Sequence, residues 1–130
     1  MNILAIDYGS KRIGLAWSNT SLGVILPFGL VEKLSLKDKV EELADIIAKE
    51  KVDKIIVGFP LGLNGKENAN TERVKKFVFE LRKLIETPIE YHDERFSSYA
   101  ADAAGAGVSR DERAAMIILE SYLESRKKNK

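Results

Sequence analysis

The stretch 3–16, read I-L-A-I-D-Y-G-S-K-R-I-G-L-A, constrains the fold more than any other part of the chain. An apolar run over Leu4, Ala5 and Ile6 ends in an acid, Asp7. A glycine and a basic tip follow, and a second apolar run begins at Ile13. Two short apolar runs this close together read as buried strands joined by a turn. A carboxylate at the end of such a strand is costly unless something pairs with it. Gly9 lets the backbone turn sharply or approach a ligand closely. The rest of the chain is therefore expected to bring other acids and amides to Asp7.

The chain in order predicts a strand over 2–6 and a second over 12–18, paired through a turn at 8–11. A third strand is expected over 24–32, with Pro27 bending it or marking an edge. The apolar period then changes. Ser35 with Asp38 resembles a helix N-cap, and Val40, Leu43, Ala44 and Ile47 follow at helical spacing. Residues 54–59 form an unbroken apolar run of the kind buried in parallel sheets. A polar loop at 61–70 leads to a second helix, with Val74, Phe77, Val78, Leu81 and Ile85 on one face. A fifth strand is expected over 88–92 and a weak helix over 96–104, broken by the glycines at 105 and 107. The last helix starts at Ser109 and carries Ala115, Ile118, Leu119 and Tyr122, and the basic tail 126–130 is expected to fray. This order predicts a mixed five-stranded sheet, three antiparallel strands then parallel ones, with helices on both faces.

Composition narrows the function. The chain has 130 residues, 45% hydrophobic and 32% charged, which fits one ordinary domain over 1–130 with a real core. Lys and Arg number 21 against 20 Asp and Glu, so any nucleic-acid site must be a local patch. The absence of Cys excludes disulfides and thiolate metal sites. No leader pattern and no membrane-length apolar run is present, so a cytoplasmic protein is expected.

Four features are expected at strand ends or at a helix start: Asp7, the loop after Phe59, the run Asp93, Glu94, Arg95, and Asp111. Ligands collect outside the carboxyl ends of strands in open α/β sheets. Clustered carboxylates without His or Cys support suit Mg²⁺ or Mn²⁺, the ions used for in-line attack at phosphorus. Each residue also has a plainer role. Asp7 could cap the turn that follows it. Asp93 and Glu94 could be a solvated strand end paired with Arg95. Asp111 stands inside an S-x-x-E capping box formed by Ser109 and Glu112, where an acid favours the helix dipole. His92, the only histidine, is read as structural. Lys11, Arg12, Lys66, Arg73 and Arg95 are solvated by default, and those near the acids could contact phosphates.

The hairpin also fits the phosphate loop of actin-like ATPases and sugar kinases. Those architectures close two such domains around a nucleotide, and this length supplies one.

Four blocks carry a family resemblance: I-D-Y-G-S-K-R-I-G-L-A at 6–16, V-G-F-P-L-G-L-N-G at 57–65 followed by Arg73 and Phe77, D-E-R-F-S-S at 93–98, and D-E-R-A-A-M-I-I-L-E-S-Y-L at 111–123. In this order, nearly end to end, they make the chain resemble the YqgF (RuvX) family of bacterial RNase H-like proteins, related to RuvC Holliday-junction resolvases. The resemblance implies an RNase H-like fold and a divalent-metal-dependent phosphodiesterase that processes the 5′ end of precursor 16S rRNA in ribosome biogenesis. By match to the blocks, Asp7, Glu94 and Asp111 would be the catalytic acids and would hold Mg²⁺ or Mn²⁺. Gly9, Lys11, Arg12, Asn64, Arg73 and Arg95 would bind substrate. RuvC-type resolvases carry a further acid at the end of the fourth strand, where this chain has Gly58, Phe59 and Pro60.

The expected partners are precursor rRNA or branched DNA, with ribosomal components, no membrane, and a monomer or homodimer. A junction-resolving nuclease and a non-catalytic nucleic-acid-binding module are the alternatives. Gly9 is expected to keep the hairpin backbone clear of a phosphodiester.

Overall fold

The computed structural model describes residues 1–9, 11–93 and 107–128. Five strands form one sheet in the order β3-β2-β1-β4-β5. They are β1 (Asn2–Tyr8), β2 (Ile13–Asn19), β3 (Val24–Val31), β4 (Lys54–Phe59) and β5 (Ile89–Asp93). The three helices are α1 (Leu36–Lys49), α2 (Ala69–Arg82) and α3 (Arg110–Lys128). Strands β1, β2 and β3 pair antiparallel, and β1, β4 and β5 pair parallel. The expected mixed sheet is therefore the observed one.

Alternation along β1 decides which residues serve which face. Leu4 and Ile6 pack under α1 and α2, in a core with Leu43, Phe77, Val78 and Leu81. Ile3 and Ala5 face the other way, into a second core with Ala16, Ile56, Ala115, Ile118, Leu119 and Tyr122 of α3. Each fully buried Leu, Ile or Phe in these layers contributes about 1.5–3 kcal/mol of transfer free energy. Leu43→Ala, which empties a fully buried site beneath α1, is expected to cost about 2–5 kcal/mol. The residues under α3 are small where β1 and β2 cross it, so this helix lies close to the sheet.

The helix starts follow the expected chemistry. Ser35 caps α1, its Oγ accepting from the Asp38 amide at 3.1 Å. Asn68 caps α2 in a reciprocal box with Thr71. The Ser109 Oγ accepts from the Glu112 amide at 3.1 Å, while a Glu112 carboxylate oxygen accepts from the Ser109 amide at 3.3 Å. Pro27 lies on the edge strand β3, as expected. The register slips by one residue opposite Gly14 to Ala16, so Phe28 and Gly29 share the place of one residue. Gly29 takes φ +97° in this bulge, a conformation that other residues adopt only with strain.

Some boundaries differ. The first strand runs to Tyr8, so the chain reverses at 9–12, where the Gly9 amide donates to the Arg12 carbonyl at 3.1 Å. Helix α2 stops at Arg82; Ile85 lies beyond it and packs from the following turn. The basic tail does not fray at 126, because α3 continues through Lys128 and the Arg126 guanidinium reaches the Tyr122 hydroxyl at 3.0 Å. The helix expected over 96–104 lies outside the described residues. Among the described residues, no helix is long and apolar enough to cross a membrane.

Candidate active site

Asp7 is the next residue on the β1 face that carries Ile3 and Ala5, so period-2 alternation turns its carboxylate toward the α3 side. It pairs with Gly14 of β2 across the antiparallel ladder. On the other side, the parallel register through Ile6 and Val57 brings Gly58 of β4 alongside. The carboxylate thus sits between two strand positions that have no side chain. These two vacated positions serve different purposes.

The first is filled by α3. A Cβ on Gly14 would stand 1.9 Å from the backbone oxygen of Asp111. No side chain fits there, so glycine is what lets the helix start descend onto the hairpin. That descent brings the Asp111 carboxylate into the field of Asp7. Burial first, and the charge of Asp111 second, pushes the Asp7 carboxyl from 3.8 up to about 6. Among the described residues, no hydrogen bond to the Asp7 carboxylate offsets these two effects.

The second position opens into a cleft of about 260 Å³ at the carboxyl ends of β1 and β4. Its walls are Asp7, Tyr8, Gly9, Gly58, Pro60, Asn70, Arg73 and Val74. Tyr8 is held in its wall by stacking on Phe77 at 4.4 Å between ring centroids. The cleft floor is anchored by Thr71, whose hydroxyl donates to the Pro60 carbonyl at 2.5 Å. Asn70 and Arg73, from the first two turns of α2, line the cleft with Asp7. Gly58 places no side chain in this opening.

The other expected site residues divide. Arg12 ion-pairs with Asp111, Nε to Oδ2 at 3.2 Å. Lys11 is exposed at the tip of the hairpin. Asn64 turns inward on its own loop, its Oδ1 accepting from the Lys66 amide at 2.9 Å, away from the cleft lining. Gly9 lines the cleft, but a Cβ there would meet the Arg12 carbonyl oxygen at 2.4 Å, so the turn itself also demands glycine. Glu94 and Arg95 lie outside the described residues.

Glu112 has structural work on both oxygens. One accepts from Ser109, and Oε2 accepts from the Gly29 amide of the bulge at 2.7 Å. Burial alone would push this carboxyl up; the hydrogen bonds from Ser109 and Gly29 outweigh it and hold it below its usual range. His92 is likewise committed, with Nε2 2.8 Å from the Ser121 Oγ and its ring edge-on to Tyr122.

Asp7 and Asp111 come from different elements and carry only oxygen donors. Mg²⁺ is commonly held by one or two carboxylates together with substrate phosphates, so this pair fits such an ion. Among the described residues, no group of three or more His, Cys, Asp or Glu side chains is placed to hold a metal. Sequence reasoning missed Gly14; it noted Gly58 only as a position without an acid, and took Asn70 as the end of the polar loop, whereas Asn70 stands in α2. A glycine inside a strand, opposite the acid in the hairpin register, was the available signal for Gly14.

Solved structures place this arrangement in a class. The chain is similar to RuvC of T. thermophilus in complex with Holliday junction substrate, at TM-score 0.60 and 14% identity, covering 91% of this chain and 89% of that one. It is also similar to the Fowlpox virus resolvase in complex with substrate Holliday junction DNA, at TM-score 0.59 and 14% identity, covering 96% and 98%. The fold is thus the RNase H-like fold of the resolvases. Within that class, the chain belongs to the RuvX family, described as Holliday junction resolvase, whose profile matches residues 1–125. A relative from Maridesulfovibrio salexigens, named "Putative pre-16S rRNA nuclease", is 37% identical over 132 residues, covering 95% of this chain and 98% of its own. One from Rickettsia africae with the same name is 38% identical over 132 residues, covering 95% and 86%.

Proposed function

We propose that this chain is a divalent-metal-dependent nuclease that processes the 5′ end of precursor 16S rRNA. The observation that carries the reading is the pairing of Asp7 with Asp111 beside the Arg73-lined cleft at the ends of β1 and β4. The names of the relatives support the RNA substrate.

Asp7 and Asp111 would hold Mg²⁺ or Mn²⁺, with Glu94 as the third ligand that the family blocks imply. When bound, the ion supplies water activation and charge stabilisation at the phosphoryl group. Asp7 does its work as the carboxylate, the form that prevails above about pH 6. Arg73 and Asn70 hold the nucleic-acid backbone across the cleft, while Gly9 and Gly58 leave room for the sugar and phosphate. Lys11 and Arg95 add phosphate contacts. A near-neutral chain gains little from bulk charge, so selectivity rests on RNA shape or on a ribosomal partner.

The family description and the resolvase-like fold favour a second substrate, branched DNA. One experiment separates the two. A precursor 16S leader RNA and a four-way DNA junction are each incubated with the protein in Mg²⁺, in Mn²⁺ and in EDTA. Ion-dependent cleavage of the leader is expected. Cleavage of the junction alone would transfer the assignment to resolution, and no cleavage of either in any ion would remove the nuclease reading.

A further inference from the structure

Arg12 and Asp111 meet at one point, through Nε and Oδ2 at 3.2 Å. The arginine side chain is 53% exposed and the aspartate 28%, so the pair is open to solvent and its net stabilisation is small. A guanidinium carries five N–H donors, so Arg12 has donors to offer an anion besides Asp111. Arg12 also has a short tether. Its carbonyl closes the turn with the Gly9 amide, and Gly9 lines the cleft. The Arg12 backbone is thereby held next to a cleft-lining residue, within a side chain's length of the cleft.

A divalent ion on Asp111 weakens the present contact. A carboxylate that binds a divalent cation would bring that cation against the guanidinium, and like charges at such range repel. We propose that Arg12 is a placeholder cation: it holds Asp111 while the acid pair lacks a divalent ion, and it moves to a backbone phosphate of the nucleic acid once Asp111 engages one. This rests on the reading of Asp7 and Asp111 as ion ligands. Ion loading and substrate capture are then coupled through one side chain. The protein is kept from meeting the phosphate backbone with its full cationic complement before the ion is in place.

A purely structural Arg12, strapping α3 to the hairpin, makes the opposite prediction for ion binding. Removing a strap loosens Asp111 and weakens ion affinity. Removing a placeholder frees Asp111 and strengthens it.

The test is calorimetric titration of Mn²⁺ into wild-type protein, Arg12→Ala, Arg12→Lys and Asp7→Asn, without nucleic acid. Arg12→Ala is expected to bind Mn²⁺ about three- to tenfold more tightly than wild type, with Arg12→Lys between them. Asp7-dependent binding with Arg12→Ala unchanged or weaker overturns the placeholder alone. No Asp7-dependent binding in wild type overturns the ion-ligand reading and the placeholder with it. A second measurement follows binding of a short RNA with a non-cleavable backbone across a salt series. In EDTA, wild type and Arg12→Ala should share one slope; in Mg²⁺, the Arg12→Ala slope should be lower by about one phosphate contact. A difference already present in EDTA, or none in Mg²⁺, contradicts the transfer of Arg12 to phosphate.

Discussion

The backbone oxygen of Asp111 occupies the space where a side chain at Gly14 would stand, 1.9 Å from the position of its Cβ. Gly14 is in turn the ladder partner of Asp7. One missing side chain therefore sets the spacing of two carboxylates that are 104 residues apart in the chain (111 − 7). Gly14→Ala must push α3 away or distort β2. Overpacking of this kind is expected to cost about 1–3 kcal/mol, measured by urea unfolding. Nuclease activity should fall further than stability does, because the displaced element carries Asp111.

Asp7 is held at a cost in the ion-free protein. Its folded carboxyl titrates at about 6 against 3.8 as the ordinary value. An acid raised in this way keeps its proton better folded than unfolded. Stability is thus lost as pH rises from 3.8 through about 6 and stays lost above. Asp7→Asn removes the burial of charge, so in EDTA at pH 8 it should be more stable than wild type by about 1–3 kcal/mol. The gain should shrink toward zero at pH 4. Denaturation at the two pH values checks this, and a destabilised Asp7→Asn at pH 8 would contradict it.

Glu112 works in the opposite direction. Its folded carboxyl lies below the ordinary 4.5, so the stability it adds is present above that pH and is lost as pH falls through the folded value. It joins the α3 cap to the β3 bulge through Ser109 and Gly29. Glu112→Gln should destabilise by about 1–2 kcal/mol at neutral pH. The difference from wild type should narrow in acid. Thermal or urea unfolding at both pH values reads it.

Much of this was legible from residue pattern alone. The apolar run that ends at Asp7, the switch to helical spacing at Val40, and the run 54–59 mark out the sheet and its helices, while the split of Ile3 and Ala5 from Leu4 and Ile6 between two cores is seen only in the fold. Asp7 stood out because an acid after an apolar strand needs a reason. Gly14 did not stand out, because its role depends on a helix that begins almost a hundred residues later. The capping role of Glu112 was visible in its spacing from Ser109. Its bond to Gly29 was not, since that depends on a one-residue bulge in an edge strand. Asn64 shows the converse. A polar residue in a loop near the site looks available, but an amide oxygen beside its own backbone closes a local turn first.

Arg73 lines the cleft with Asp7 and is exposed at the second turn of α2. Arg73→Ala should raise KM for an RNA substrate about five- to tenfold with little change in kcat, and lower the salt slope of binding by about one. Equal loss in kcat and kcat/KM would instead assign Arg73 to the reacting phosphate.

The central claim is that Asp7 and Asp111 act as one unit, and a double-mutant cycle on cleavage tests it most directly. Asp7→Asn, Asp111→Asn and the double variant are compared for cleavage of the precursor 16S leader in Mn²⁺. Each single change is expected to lower kcat by about a hundredfold or more, and the double no further than the worse single, since residues that share one task are non-additive. Near-wild-type cleavage by Asp111→Asn, or losses that simply multiply in the double variant, would contradict it.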